Sequence, residues 1–154
     1  MSEEISVRTG EERDASALIE FNLAMAQETE SKELPTAVVS AGVRNLLENP
    51  HYGFYVIAEK GEEITGCLMV TTEWSDWRNG EFWWIQSVYV RPEFRRQGIY
   101  RKLYESVRTR AAMKGNVCGF RLYVEQENAV AQRTYQDMGM EETSYKLFEE
   151  LTKP

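Results

Sequence analysis

Apolar positions recur in two rhythms along this chain of 154 residues. Residues 5–10, ISVRTG, read as a first strand. Residues 14–30, DASALIEFNLAMAQETE, change to the helical rhythm: Leu18, Phe21 and Met25, with Ile19 and Leu23 beside them, recur at helical spacing. Pro35 opens a second helix through about Leu47, and ENPHYG is its turn-rich exit. The strand rhythm returns in FYVIAE, turns through KGEE and comes back in ITGCLMVTTEW. SDWRNG makes the next turn, with Asn79-Gly80 as a hairpin signal, and leads into the aromatic, β-branched run EFWWIQSVYV.

Ile99, Leu103, Val107 and Ala111 then mark one face of a helix that Gly115 ends. VCGFRLYVE is a fifth strand. NAVAQRTYQDMG is a short helix that Asn128 can cap and Gly139 can close. MEETSYKLFEEL carries an extended tail piece, with a last helical turn as the alternative. The order β-α-α-β-β-β-α-β-α-β predicts an α/β (α+β mixed) domain over residues 1–154. Its sheet has antiparallel hairpins early and a right-handed crossover through the helix at 99–114.

Hydrophobic residues make up 42% of the chain and charged residues 28%, enough for a sizeable core. No apolar run approaches the ~20 residues of a membrane helix, and the start, MSEEISVRTG, is acidic and polar. The expectation is a cytoplasmic protein without a membrane partner. Cys67 and Cys118 sit among apolar neighbours and read as reduced core thiols. His51, the only histidine, lies beside Pro50 and Tyr52 in a loop, so no metal site is expected. A net charge of -7 argues against nucleic-acid binding. It suits attraction of a cationic small molecule, or simply a soluble acidic surface.

Against that acidity, residues 88–107, VYVRPEFRRQGIYRKLYESV, gather Arg91, Arg95, Arg96, Arg101 and Lys102 around Gly98. A helix start offers unpaired N–H groups and a partial positive charge, where phosphates bind. Cations there are unfavourable unless something negative lies between them. Gly98 lets backbone approach a ligand closely. The stretch therefore describes a pyrophosphate seat, against the plainer reading of a basic loop on a helix end.

VYVRPEFRRQGIYRKLY resembles the acyl-coenzyme A binding motif of the GNAT superfamily of N-acetyltransferases: Arg or Gln, two residues, Gly, one residue, then Gly or Ala. Arg95, Gly98 and the position of Tyr100 correspond. LYVEQENAVAQRTYQDMGM is similar to the family's second signature, with Asn128, Ala131, Tyr135 and Gly139. The resemblance implies a central mixed sheet of six to seven strands flanked by about four helices. It implies acetyl transfer from acetyl-coenzyme A (acetyl-CoA) to a primary amine, either a small amine or the amino group of a peptide, without a metal. Val88, Tyr89 and Val90 would line the pantetheine arm, and Asn128 would help hold it. Arg95, Arg96, Gln97, Gly98, Ile99 and Tyr100 would form the pyrophosphate loop. Tyr135 would contact the cosubstrate and protonate the leaving thiolate. Homodimers are frequent in the family, and the aromatic surplus is compatible with one.

Two positions depart from the family pattern. Tyr100 replaces a small residue and would pack on the ligand or on the neighbouring helix. Gln86 stands where several members carry a catalytic glutamate, and an amide cannot take a proton at neutral pH. Gln86 would instead position a water. Glu28, Glu30, Glu73 and Glu125 are the open candidates for a base. Trp74, Trp77, Phe82, Trp83 and Trp84 divide among core, acceptor pocket and subunit interface. The alternatives to the amine acetyltransferase are a transferase of another acyl group and a non-catalytic acyl-CoA sensor. A protein that binds nucleotide phosphates alone is a further one.

Overall fold

The computed structural model describes residues 4–152, so residues 1–3 of the polar start lie outside it. It divides into two compact units, one through Tyr123 and one from Val124 onward.

The first unit is a five-stranded sheet in the order β1-β2-β3-β4-β5. Its strands are β1 (Ile5–Thr9), β2 (Phe54–Lys60), β3 (Glu63–Ser75), β4 (Gly80–Val90) and β5 (Val117–Leu122). The first four pair antiparallel. β5 pairs parallel with β4, as the crossover through α3 (Ile99–Lys114) requires. Helices α1 (Ala15–Glu30) and α2 (Thr36–Glu48) precede β2. Leu18, Phe21, Val43 and Leu46 of these helices form one core cluster with Tyr55, Ile57, Cys67 and Tyr89 of the sheet. α3 buries Ile99, Leu103, Tyr104, Val107 and Ala111, and Tyr104 meets Phe120 of β5 edge-on at 5.7 Å. Each such apolar side chain contributes roughly 1.5–3 kcal/mol when fully buried.

The helix starts and stops follow local chemistry. Pro35 caps α2 in an extended conformation. Gly98 (φ 77°) opens α3 and Gly115 (φ 88°) closes it, both left-handed. The hairpin turn places Asn79 at φ 48°.

The second unit contains α4 (Ala129–Asp137), with Asn128 Oδ1 accepting from Ala131 N–H at 3.1 Å. Gly139 (φ 100°) follows the helix as expected.

Two expectations are corrected. The sheet has five strands rather than six to seven, because among the described residues no strand or helical turn follows α4. The tail sets Leu147 beside Phe148 and Glu149 beside Glu150, so no register gives it one apolar and one polar face. Tyr145 and Phe148 stand 74% and 92% exposed there. Cys118 is exposed, not core: it lies on β5, the edge strand, whereas Cys67 lies inside the sheet and is buried. Burial pushes the Cys67 thiol up to about 12, which makes it inert. Among the described residues no helix is long and apolar enough to cross a membrane.

Candidate active site

The site is built on the end of β4. β5 accompanies β4 only from Glu81 (opposite Val117) to Ile85 (opposite Leu122). From Gln86 through Ser87, Val88, Tyr89 and Val90, β4 is paired with β3 alone among the described residues. One edge of its backbone is therefore open where the strand approaches the loop. A bulge marks the parting. Met69 faces Gln86 and Cys67 faces Tyr89, so β4 carries one residue more than β3 in this interval. Ser87 takes the left-handed conformation (φ 51°), and its carbonyl accepts from the Cys67 thiol at 3.6 Å.

β4 leads through a short 3-10 turn (Pro92–Phe94) to the start of α3. The first helical hydrogen bond runs from Lys102 N–H to Gly98 O at 3.1 Å, so the amides of the first turn have no acceptor within the helix. A Cβ built on Gly98 would meet nothing within 4 Å. The glycine is there for its conformation, and the space beside it is open. This geometry fits a diphosphate: amides, a helix dipole and room.

The basic residues divide by partner. Arg91 donates to Ile64 O (2.8 Å), lies 3.4 Å from Glu20 and covers the Phe21 ring at 4.8 Å. Arg95 donates to Val90 O (2.9 Å) and to Glu28 (2.8 Å), over the Tyr89 ring at 5.5 Å. Both arginines thus fasten the loop to α1. Arg96, at φ 66°, and Arg101 and Lys102 make no ion pair among the described residues. Gln97 Nε2 reaches Glu93 O at 3.3 Å. Ile99 is buried under the helix start. Tyr100, the departure from the motif, stacks on Tyr104 one turn along, with centroids 6.1 Å apart and planes 7° apart.

Gln86 donates through Nε2 to Thr71 Oγ1 at 2.6 Å, which fixes its amide on the sheet face. Three of the four carboxylate candidates are engaged through their side chains. Glu28 accepts from Tyr89 Oη (3.3 Å) and Arg95. Glu30 lies 3.3 Å from Lys32. Glu73 accepts from Trp84 Nε1 (2.8 Å) and Arg121 (3.0 Å). Glu125 belongs to the second unit, where its carbonyl accepts from Asn128 N–H (3.0 Å) and Gln132 Nε2 (3.0 Å). Asn128 and Tyr135 belong to that unit too. Tyr135 is half-buried, and burial pushes its phenol above the ordinary value.

The aromatic group separates by place: the middle of β4 is covered on both faces, and the hairpin is exposed. Phe82 and Trp83 are buried, Trp84 is half-buried against Tyr123 at 4.6 Å, and Trp74 and Trp77 are exposed on the hairpin. Phe82 is clamped: Arg121 lies 3.6 Å over its ring, and a Cβ on Gly119 would come within 2.7 Å of it. Thr71 under Gln86 and Glu20 under Arg91 escaped sequence reading, which named Glu28 only as a candidate base and not as the partner of Arg95. The available signal was spacing: Arg91 and Arg95 are four apart, and Glu20 and Glu28 are two helical turns apart.

Comparison with known proteins agrees with this geometry. Residues 17–140 match the acetyltransferase (GNAT) family. A possible acetyltransferase from Clostridium difficile 630 shares 39% identity at TM-score 0.91, over 97% of this chain and 99% of its own. A predicted acetyltransferase from Clostridium acetobutylicum, solved with acetyl-CoA, has the same fold at 18% identity and TM-score 0.78, over 96% of each chain. So does the aminoglycoside N-acetyltransferase AAC(6')-Iy with CoA, at 18% identity and TM-score 0.78, over 98% of this chain and 97% of its own. No curated protein matches the chain. With a strand that parts from its neighbour, a left-handed glycine at the helix start and a family match over most of its length, the protein belongs to the GNAT family of acetyltransferases.

Proposed function

We propose that the protein is an N-acetyltransferase that moves acetyl from acetyl-CoA to a primary amine by direct attack on the thioester. The observation that carries this is the open edge of β4 at residues 86–90, running into the unpaired amides at Gly98. The pantetheine arm would lie along Val88, Tyr89 and Val90. The diphosphate would sit on the backbone of residues 95–100, with Arg96 beside it. Two proteins of the same fold hold acetyl-CoA and CoA in their crystals, which supports the donor.

The residues divide three tasks. A backbone N–H of the open edge polarises the thioester carbonyl. The amine's nitrogen forms the new C–N bond as the C–S bond breaks, and Tyr135 gives its proton to the departing sulfur. A phenol raised by burial is protonated at neutral pH and suits that duty. Gln86, held by Thr71, orients a water that carries away the proton of the amine. Asn128 and Tyr135 are assigned through the family's second signature. The family match runs across both units, which supports one catalytic domain over residues 1–154. A cytoplasmic homodimer acting on a small amine or a peptide amino group completes the reading.

A second reading rests on Gln86. With an amide at that position and the neighbouring carboxylates engaged, the domain would bind acyl-CoA without turnover. Thermal-shift titration with acetyl-CoA, a longer acyl-CoA and ATP, followed by thiol release with a panel of amines, separates the readings. The enzyme predicts protection by acetyl-CoA beyond that of ATP, and thiol release with at least one amine. Protection with no release for any amine, and no effect of Tyr135→Phe, favours the sensor. Equal protection by ATP overturns both.

A further inference from the structure

We propose that Glu28 is a positioning residue of the donor site: through Arg95 and Tyr89 it pins the strand-to-helix loop onto the last turns of α1. The inference rests on the reading that this loop receives the diphosphate of CoA.

Glu28 uses both carboxylate oxygens. One accepts from Tyr89 Oη at 3.3 Å and the other from Arg95 Nη2 at 2.8 Å. Arg95 in turn donates Nε–H to Val90 O at 2.9 Å and covers the Tyr89 ring. The guanidinium is thereby committed to three partners from α1 and the end of β4. It is held at the foot of the loop, and Arg96, Arg101 and Lys102 are the cations of the loop and helix start that make no ion pair among the described residues.

The next residue shows why a tether is needed. Arg96 is left-handed (φ 66°) and Gly98 two positions on is left-handed again (φ 77°). A non-glycine residue in that region is strained and persists only where its surroundings enforce it. The residue immediately before it is the one fastened at both ends of its guanidinium.

Charge makes the test directional. Glu28 is a carboxylate beside an anion cradle, so simple electrostatics says that removing it strengthens anion binding. A positioning role says the opposite. It also separates positioning from the base role for which Glu28 is a candidate, since loss of a base lowers kcat and loss of positioning raises KM for the donor.

The experiment is calorimetric titration of the full chain with CoA. It uses wild type, Glu28→Ala, Glu28→Gln, Arg95→Ala and the double variant Glu28→Ala/Arg95→Ala, with melting points and acetyl-CoA kinetics alongside. Glu28→Ala is expected to weaken CoA binding about three- to tenfold, around the upper end for an exposed charged pair. Glu28→Gln recovers part of that loss. The double variant is no weaker than the worse single one, because the two residues act as one device. Melting points without ligand stay within about 2 °C of wild type. KM for acetyl-CoA rises by more than kcat falls. Unchanged or tighter CoA binding in Glu28→Ala, or losses that add in the double variant, overturns the proposal and leaves the donor site standing. No CoA uptake by wild type overturns the donor site and the proposal together.

Discussion

In the proposed reaction Tyr135 acts through a single oxygen, and Phe removes that oxygen while keeping the ring. Tyr135→Phe should therefore lower kcat by about 10²–10⁴-fold, read as thiol release at saturating acetyl-CoA, with little change in melting point. Asp14 works at the same scale for stability. Burial pushes its carboxyl up. The Arg8 guanidinium at 2.7 Å and the Glu11 N–H at 2.7 Å outweigh that and hold it below its ordinary value. Its contribution is then complete above the unfolded value of about 3.9 and is lost as pH falls through the lower folded value. Asp14→Asn should cost roughly 2–4 kcal/mol at pH 7, because Arg8 loses its bidentate partner. Denaturant titrations should show wild type and variant converging as pH drops below about 4. The left-handed turn at Gly98 was legible from its motif. Glu20 and Thr71 were not, and Glu28 was read only as a candidate base: the fold is what brings them to Arg91, to Gln86, and to Tyr89 and Arg95.

At the scale of the element, α3 was legible to the residue, because its start and stop are glycines and its apolar face has unbroken helical spacing. β5 ends three residues before the sequence pattern suggested, at Leu122. LYVE looks like strand, but β4 has already bulged at Ser87 and offers no continuing partner. Gly98→Ala tests this junction. A left-handed alanine costs about 1 kcal/mol, and no side chain stands in the way of its methyl group. The melting point should fall by only a few degrees, while CoA binding should weaken more than tenfold if the diphosphate occupies that space. Leu103→Ala makes the contrast within the same helix. Leu103 is fully buried, so the variant should lose about 2–5 kcal/mol in denaturant unfolding, the range for emptying a core site.

For the whole molecule, a ligand of the folded state adds stability by mass action. Acetyl-CoA at about 100 times its Kd should add ~2.7 kcal/mol and raise the melting point by about 5–10 °C in a dye-based melt. Longer acyl-CoA donors in the same melt report how much room the open edge leaves beyond Gln86. The overall charge of -7 neither helps nor forbids this, because a helix start and Arg96, Arg101 and Lys102, which make no ion pair among the described residues, set the local field. Sequence alone determined the order of elements as far as α4, the glycine at the helix start and the family, since these rest on local periodicity and on residues next to one another in the chain. Tertiary structure decided that β4 and β5 part after Ile85, that Arg91 and Arg95 are fastened to α1, and that no strand follows α4 among the described residues. Those outcomes depend on register and on contacts between residues as many as 71 positions apart, and the energy of such pairings is not written in any one segment.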